Sequence, residues 1–188
     1  MGTGMLILII VGVILLLLII ALIAVYNALI RLRNQVDNSW SQIDVQLKRR
    51  HDLIPNLVET AKGYMKHERE TFEEITKARS QAMGAKSVSE ASKAEGALGE
   101  SLSKFMLVVE NYPDLKANQN FLAVQEELTS TENKIAFSRQ NYNDQVLFLN
   151  NKTQMFPSNV VAGMFNFKKR DFFEIKTAAE REAPKVKF

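Results

Sequence analysis

MLILIIVGVILLLLIIALIAVYNALIRLRNQVDNSWSQIDVQLKRRHDLIPNLVETAKGYM, residues 5–65, decides how the rest of the chain must be arranged. Met5–Val25 carries neither a charged nor a hydrogen-bonding side chain, and Gly12 is its only glycine. A hydrocarbon core of ~30 Å needs ~20 apolar residues at 1.5 Å rise each, and this run supplies 21. No turn signal follows. Leu29, Leu32, Val36, Trp40, Ile43, Leu47 and Ile54, then Leu57/Val58 and Ala61, recur in steps of three, four and once seven, the spacing of one helix face. The reading is a membrane-spanning helix that continues into water as the first helix of a bundle. Pro55 lies in phase inside this stripe. It removes one backbone hydrogen bond and presses on the carbonyl of His51, which predicts a kink within one helix rather than two helices.

A cleaved signal peptide fits poorly, because Met-Gly-Thr-Gly carries no basic residue and the apolar run is too long. Basic residues follow the span at Arg31, Arg33 and Lys48-Arg49-Arg50, and none precedes it. The positive-inside rule then predicts a single-pass membrane protein with an external N-terminus and a cytoplasmic bundle. Ala24 and Ala28 form a small-xxx-small pair, read here as two helix alanines rather than a close-packing motif.

Beyond this stretch the chain is predicted to be all-α. His67–Met83 is a second helical pattern, with Phe72, Ile75, Ala78 and Ala82 on one face. Whether it continues the first helix is open at this level. Ser87 or Ser89 is the candidate N-cap of a third helix, Ser89–Asn111, which Tyr112-Pro113-Asp114 ends. Asn118–Gln154 carries Phe121, Val124, Leu128, Thr131, Ile135, Ser138, Tyr142, Val146 and Leu149 close to a heptad, as a coiled coil would. The organisation expected is 1–25 as external end plus span, 26–156 as an antiparallel bundle of about four helices, and 157–188 as an aromatic and basic segment with a polar tail. Phe165, Phe167, Phe172 and Phe173 are too many phenylalanines for a solvated linker and are expected to dock on the bundle.

Composition removes most chemistry. The chain has no cysteine, so disulfides, thiolate nucleophiles, cysteine-ligated metals and iron–sulfur clusters are excluded. A formal net charge of +3, with no nucleic-acid fingerprint, argues against a nucleic-acid partner. His67-Glu-Arg-Glu-Thr71 begins like a zinc-protease helix but has Thr71 where a second histidine must stand. The neighbours Glu73-Glu74 and Glu126-Glu127 point about 100° apart on a helix, which suits solvent better than paired catalysis. No catalytic residue, metal site or cofactor is therefore predicted.

The cluster Lys48-Arg49-Arg50-His51-Asp52 invites three readings: intrachain ion pairs, a subunit contact, or contact with anionic lipid. Intrachain pairing is preferred, and lipid is disfavoured because Arg49 would stand ~36 Å along the helix from the span. With Trp40 and the four phenylalanines, Lys48, Arg49, Arg50 and His51 are the candidate assembly or interaction residues. Phe165–Phe173 with Lys168-Lys169-Arg170 also admits a membrane-surface reading, ranked below docking on the bundle.

Trp40-Ser-Gln-Ile-Asp-Val-Gln-Leu-Lys-Arg-Arg-His-Asp-Leu-Ile-Pro-Asn-Leu-Val58, Gly63-Tyr64, Tyr112-Pro-Asp-Leu115, Asn141-Tyr-Asn143 and Phe156-Pro-Ser-Asn159 together resemble the signature of the LemA family of bacterial membrane proteins. The resemblance runs from the span to about Ile175. It implies a single N-terminal span, an external N-terminus and a cytoplasmic antiparallel helical bundle, and no enzymatic activity is established for the family. It also implies links to membrane remodelling and organelle formation, and to membrane-bound metalloproteases as genomic neighbours. The expected function is a membrane-anchored, non-enzymatic scaffold that forms a homo-oligomer in the lipid bilayer. An adaptor for a membrane protease or other integral partner is the alternative.

Overall fold

The computed structural model describes residues 2–174, so the polar tail expected at the end of the chain lies outside the described residues. All secondary structure among the described residues is helical: α1 (Thr3–Lys62), α2 (Arg69–Met83), α3 (Val88–Val109), α4 (Pro113–Lys116), α5 (Gln119–Gln154) and α6 (Ser158–Met164). The fold is all-α, as expected. Helix α1 runs 60 residues through Pro55 without interruption. It ends at Gly63, where the amides of Tyr64 and Met65 both turn back to the Ala61 carbonyl. The second pattern is thus a separate helix. It starts at Arg69 rather than His67, because the turn at Met65–Glu68 consumes those residues.

The described residues form two compact units, and α1 and α5 contribute to both. One contains Ser41–Asn143 together with Asp171 and the described residues after it. Here α2 returns along α1, since Arg79 Nε donates to the His51 carbonyl at 2.7 Å. Helix α3 reverses again: Lys104 reaches Glu74, and Tyr112 at its far end donates to Glu68. Helix α5 starts beside the end of α1, where Asn118 Nδ2 donates to Tyr64, and runs antiparallel to it past Arg49 and Glu127. The apolar faces meet in one core of Ile54, Leu57, Met65, Phe72, Ile75, Leu98, Phe105, Leu115, Phe121 and neighbours. Phe105 is at its centre, its ring 6.2 Å from that of Phe72 and 6.5 Å from that of Phe121. Removing such a ring costs about 3–5 kcal/mol.

Of the two candidate caps it is Ser87 that caps α3: its Oγ accepts from the Glu90 amide at 3.2 Å, while Glu90 accepts from the Lys86 amide at 2.9 Å. Pro113 does more than stop a helix. At the first position of α4 its fixed φ starts a new turn, and that turn buries Leu115.

The other unit contains the chain up to Trp40 and Asp144–Arg170. Its buried apolar residues are Leu29 and Val36 on α1, Val146 and Leu149 on α5, and Val161 and Ala162 on α6. Side chains from Gly2 to Ala21 are all exposed, which suits a segment whose solvent is lipid. Asn150 clasps the main chain of Arg170, donating to its carbonyl and accepting from its amide, both at 2.9 Å. Helix α6, absent from the sequence reading, follows Pro157 at once. Ser158 anchors it by donating to the carbonyls of Lys152 and Met155.

Candidate functional site

The basic run on α1 turns by about 100° per residue, so its members meet different surroundings. Lys48 is exposed and reaches Asp52 one turn on, at 3.4 Å. Arg49 is half-exposed and pairs with Glu127 of α5 at 2.5 Å. Arg50 and His51 face inward, only 3% and 7% exposed. Their common partner is Glu95 of α3, itself 2% exposed. The His51 Nε2–H donates to Glu95 Oε1 at 2.6 Å, and Arg50 Nη1 stands 3.6 Å from Glu95 Oε2 and 3.1 Å from Glu132 of α5. At 3.6 Å the Arg50–Glu95 contact is charge attraction beyond hydrogen-bond range, and Glu95 Oε2 accepts no hydrogen bond among the described residues.

Small residues on α3 make the approach possible. A Cβ added to Gly99 would lie 3.3 Å from Arg50 Nη2, tighter than ordinary contact. Beyond the guanidinium lies a cleft of about 810 Å³ between α3 and α5, lined by Glu95, Glu132 and Arg139 and by apolar Leu102, Met106 and Leu128. Thr131 of α5 is also fully buried, and Ser92 and Ser101 of α3 are buried polar residues of the same unit.

Chemically the layer of Arg50, His51 and Glu95 is one carboxylate held between two cationic or hydrogen-bonding groups, all desolvated. Breaking a buried pair costs far more than an exposed one, so the layer fixes structure. Sequence reasoning found Arg50 and His51 but missed Glu95. A signal existed: Glu95 falls in phase between Ala91 and Leu98 on the buried side of α3. Likewise the α1 stripe skips from Leu47 to Ile54, and Arg50 and His51 fill that gap. His67, by contrast, is exposed in the turn before α2.

The remaining candidates are spread out. Trp40 is half-buried. Phe173 is fully buried, its backbone clasped by Asn143 at 2.9 and 3.2 Å, whereas Phe172 is 38% exposed. Phe165 and Phe167 lie on Tyr26, ring centroids 4.6 and 5.9 Å away. Shifted titrations are peripheral. Tyr112 is raised above 10.0, first by its hydrogen bond to Glu68, and Lys104 is raised by its hydrogen bond to Glu74 and that carboxylate's charge.

Residues 39–188 match the LemA family. The chain belongs to that family. Among relatives, Protein LemA of Metamycoplasma hominis is 30% identical over 138 residues, covering 72% of this chain and 63% of its own. Magnetosome protein MamQ 2 of Paramagnetospirillum magneticum and Magnetosome protein MamQ of Magnetospirillum gryphiswaldense are each 23% identical, covering 82% of this chain and 66% of theirs. This LemA-family chain thus spans just under two thirds of the length of these relatives. Family membership and an N-terminal helix long and apolar enough to cross a bilayer make it a membrane-associated protein.

Proposed function

We propose that this LemA-family chain is a membrane-anchored, non-enzymatic helical scaffold that self-associates and organises membrane or partner proteins. The observation that carries the reading is α1, in which the apolar run and the first helix of the core are one uninterrupted element of 60 residues. Arg50 and His51, the inward members of the most reactive-looking cluster in the sequence, are buried and engaged within the chain, which suits architecture better than turnover. The basic residues after the span favour an inner-membrane protein with the core in the cytoplasm and the N-terminus outside. Surfaces left for self-association include exposed Lys48 and half-exposed Arg49, Val45 at 62% exposed, and Phe137 at 76% exposed. Light scattering of the protein in nanodiscs tests the reading. A particle whose protein mass is a multiple of 21.3 kDa is expected, and a monomer at every concentration refutes it.

A second reading, an adaptor for a membrane-bound protease or other integral partner, is favoured by a groove of about 750 Å³ between α1 and α2. Val58, Met65 and Phe72 line it, and Lys62, Lys66 and Arg69 rim it. Crosslinking in native membranes that recovers only self-contacts removes this reading.

A further inference from the structure

The run Met5–Val25 rises about 30 Å as a helix, the thickness of the hydrocarbon core. Its inner boundary therefore falls at Tyr26. Along α1 the first half-covered side chains are Leu22, Val25 and Tyr26, and the rings that meet Tyr26 belong to Phe165 and Phe167. The chain then follows α1 away from that boundary. The Arg33 guanidinium lies 5.6 Å above the Phe167 ring, and Arg170 pairs with Asp37 at 2.9 Å. The residues just before Phe165 consequently lie where α1 leaves the bilayer.

Those residues are two-sided. Ser158, Val161 and Ala162 of α6 are buried, whereas Met155, Phe156, Val160, Met164 and Phe165 are 47–82% exposed. Five large apolar side chains are thus exposed within eleven residues, an arrangement that water does not favour. Lys168 and Lys169 follow, exposed and without an ion-pair partner among the described residues. Apolar side chains at the headgroup boundary with lysines beside them are the pattern of an interfacial element.

We propose that Met155–Phe165 is a second membrane contact, which docks on the anionic leaflet where α1 emerges. Phe156, Val160, Met164 and Phe165 enter the acyl boundary, and Lys168 and Lys169 lie over lipid phosphates. The inference rests on α1 being the anchor. The chain has no cysteine, so single-site spin labels can be placed on the full-length protein at F156C, V160C and M164C, with L16C as the reference in the span and E126C as the reference in water. In nanodiscs containing phosphatidylglycerol, the three labels are expected to be reached by oxygen and shielded from a nickel chelate severalfold more than E126C. Labels as open to nickel as E126C overturn the inference. Shielding that vanishes when labelled protein is diluted with lipid identifies a second copy as the cover and also overturns it. If L16C itself reports water, the anchor reading fails instead. Lys168→Gln and Lys169→Gln are each expected to lower the docked-to-undocked ratio about fivefold in anionic nanodiscs and to leave it unchanged in zwitterionic ones. Equal effects in both lipids overturn the headgroup role.

Discussion

Glu95→Gln tests whether the buried polar layer is architecture. The amide keeps the side-chain volume and its oxygen still accepts from His51 Nε2, but the negative charge is gone. Arg50, 3% exposed, then retains only Glu132, whose side chain is 55% exposed and half screened by water. Losing one partner of a buried pair costs about 3–5 kcal/mol, and the surviving Glu132 contact brings the expectation down to about 2–3 kcal/mol. For a chain of this size that is a fall in Tm of roughly 5–10 °C, measured by far-ultraviolet circular dichroism in detergent. Glu132→Gln, which removes an exposed partner, is expected to cost no more than about 1 kcal/mol. Replacing the trio together, Arg50→Met with His51→Phe and Glu95→Leu, is expected to recover most of the lost stability, because no buried charge then lacks a partner. If Glu95→Gln melts within about 0.5 kcal/mol of the parent protein, the layer contributes nothing to the fold and the reasoning is refuted.

Three smaller perturbations probe local features. Ser87→Ala removes the acceptor for the Glu90 amide and is expected to cost about 1 kcal/mol in thermal melts. Gly99→Ala gains roughly 0.5–1 kcal/mol of helix propensity but presses a methyl on Arg50 at 3.3 Å, so its melt is expected near neutral, whereas Gly99→Val destabilises by displacing the guanidinium. Ultraviolet titration of Tyr112 is expected to show a midpoint above 10.0 that Glu68→Gln lowers. The fold favours the neutral phenol, so this contribution is complete below pH 10 and is lost as pH rises through the raised value.

Where one physical rule dominated, the fold was legible in the sequence. Met5–Val25 satisfies a length requirement that few other segments could, and the stripe on α5 buries Phe121, Leu128, Ile135, Tyr142, Val146 and Leu149 as its spacing required. Short elements were not legible. In α4 a proline that looks like a terminator is an initiator, and seven residues of α6 are too few to show a period. The candidate site was half legible. Arg50 and His51 stood out as charges, but Glu95 lies 44 positions from His51 in a stretch whose alanines and glycines read as a weak helix. Those small residues are what let the guanidinium approach, a purpose that appears only when α1 and α3 are packed together.

Asn150 and Asn143 raise a different matter, since each grips main chain rather than side chain: the amide and carbonyl of Arg170 in one case and of Phe173 in the other. The Tyr142 hydroxyl donates to the Asp171 carbonyl at 2.9 Å in the same manner. A carboxamide that accepts from an N–H and donates to a C=O copies one rung of a β-ladder. Recognition of this kind is blind to the residue being held. Drift at Arg170 or Phe173 to any residue but proline would leave these main-chain bonds available, whereas a change at either asparagine would remove two of them from a segment that itself had not changed.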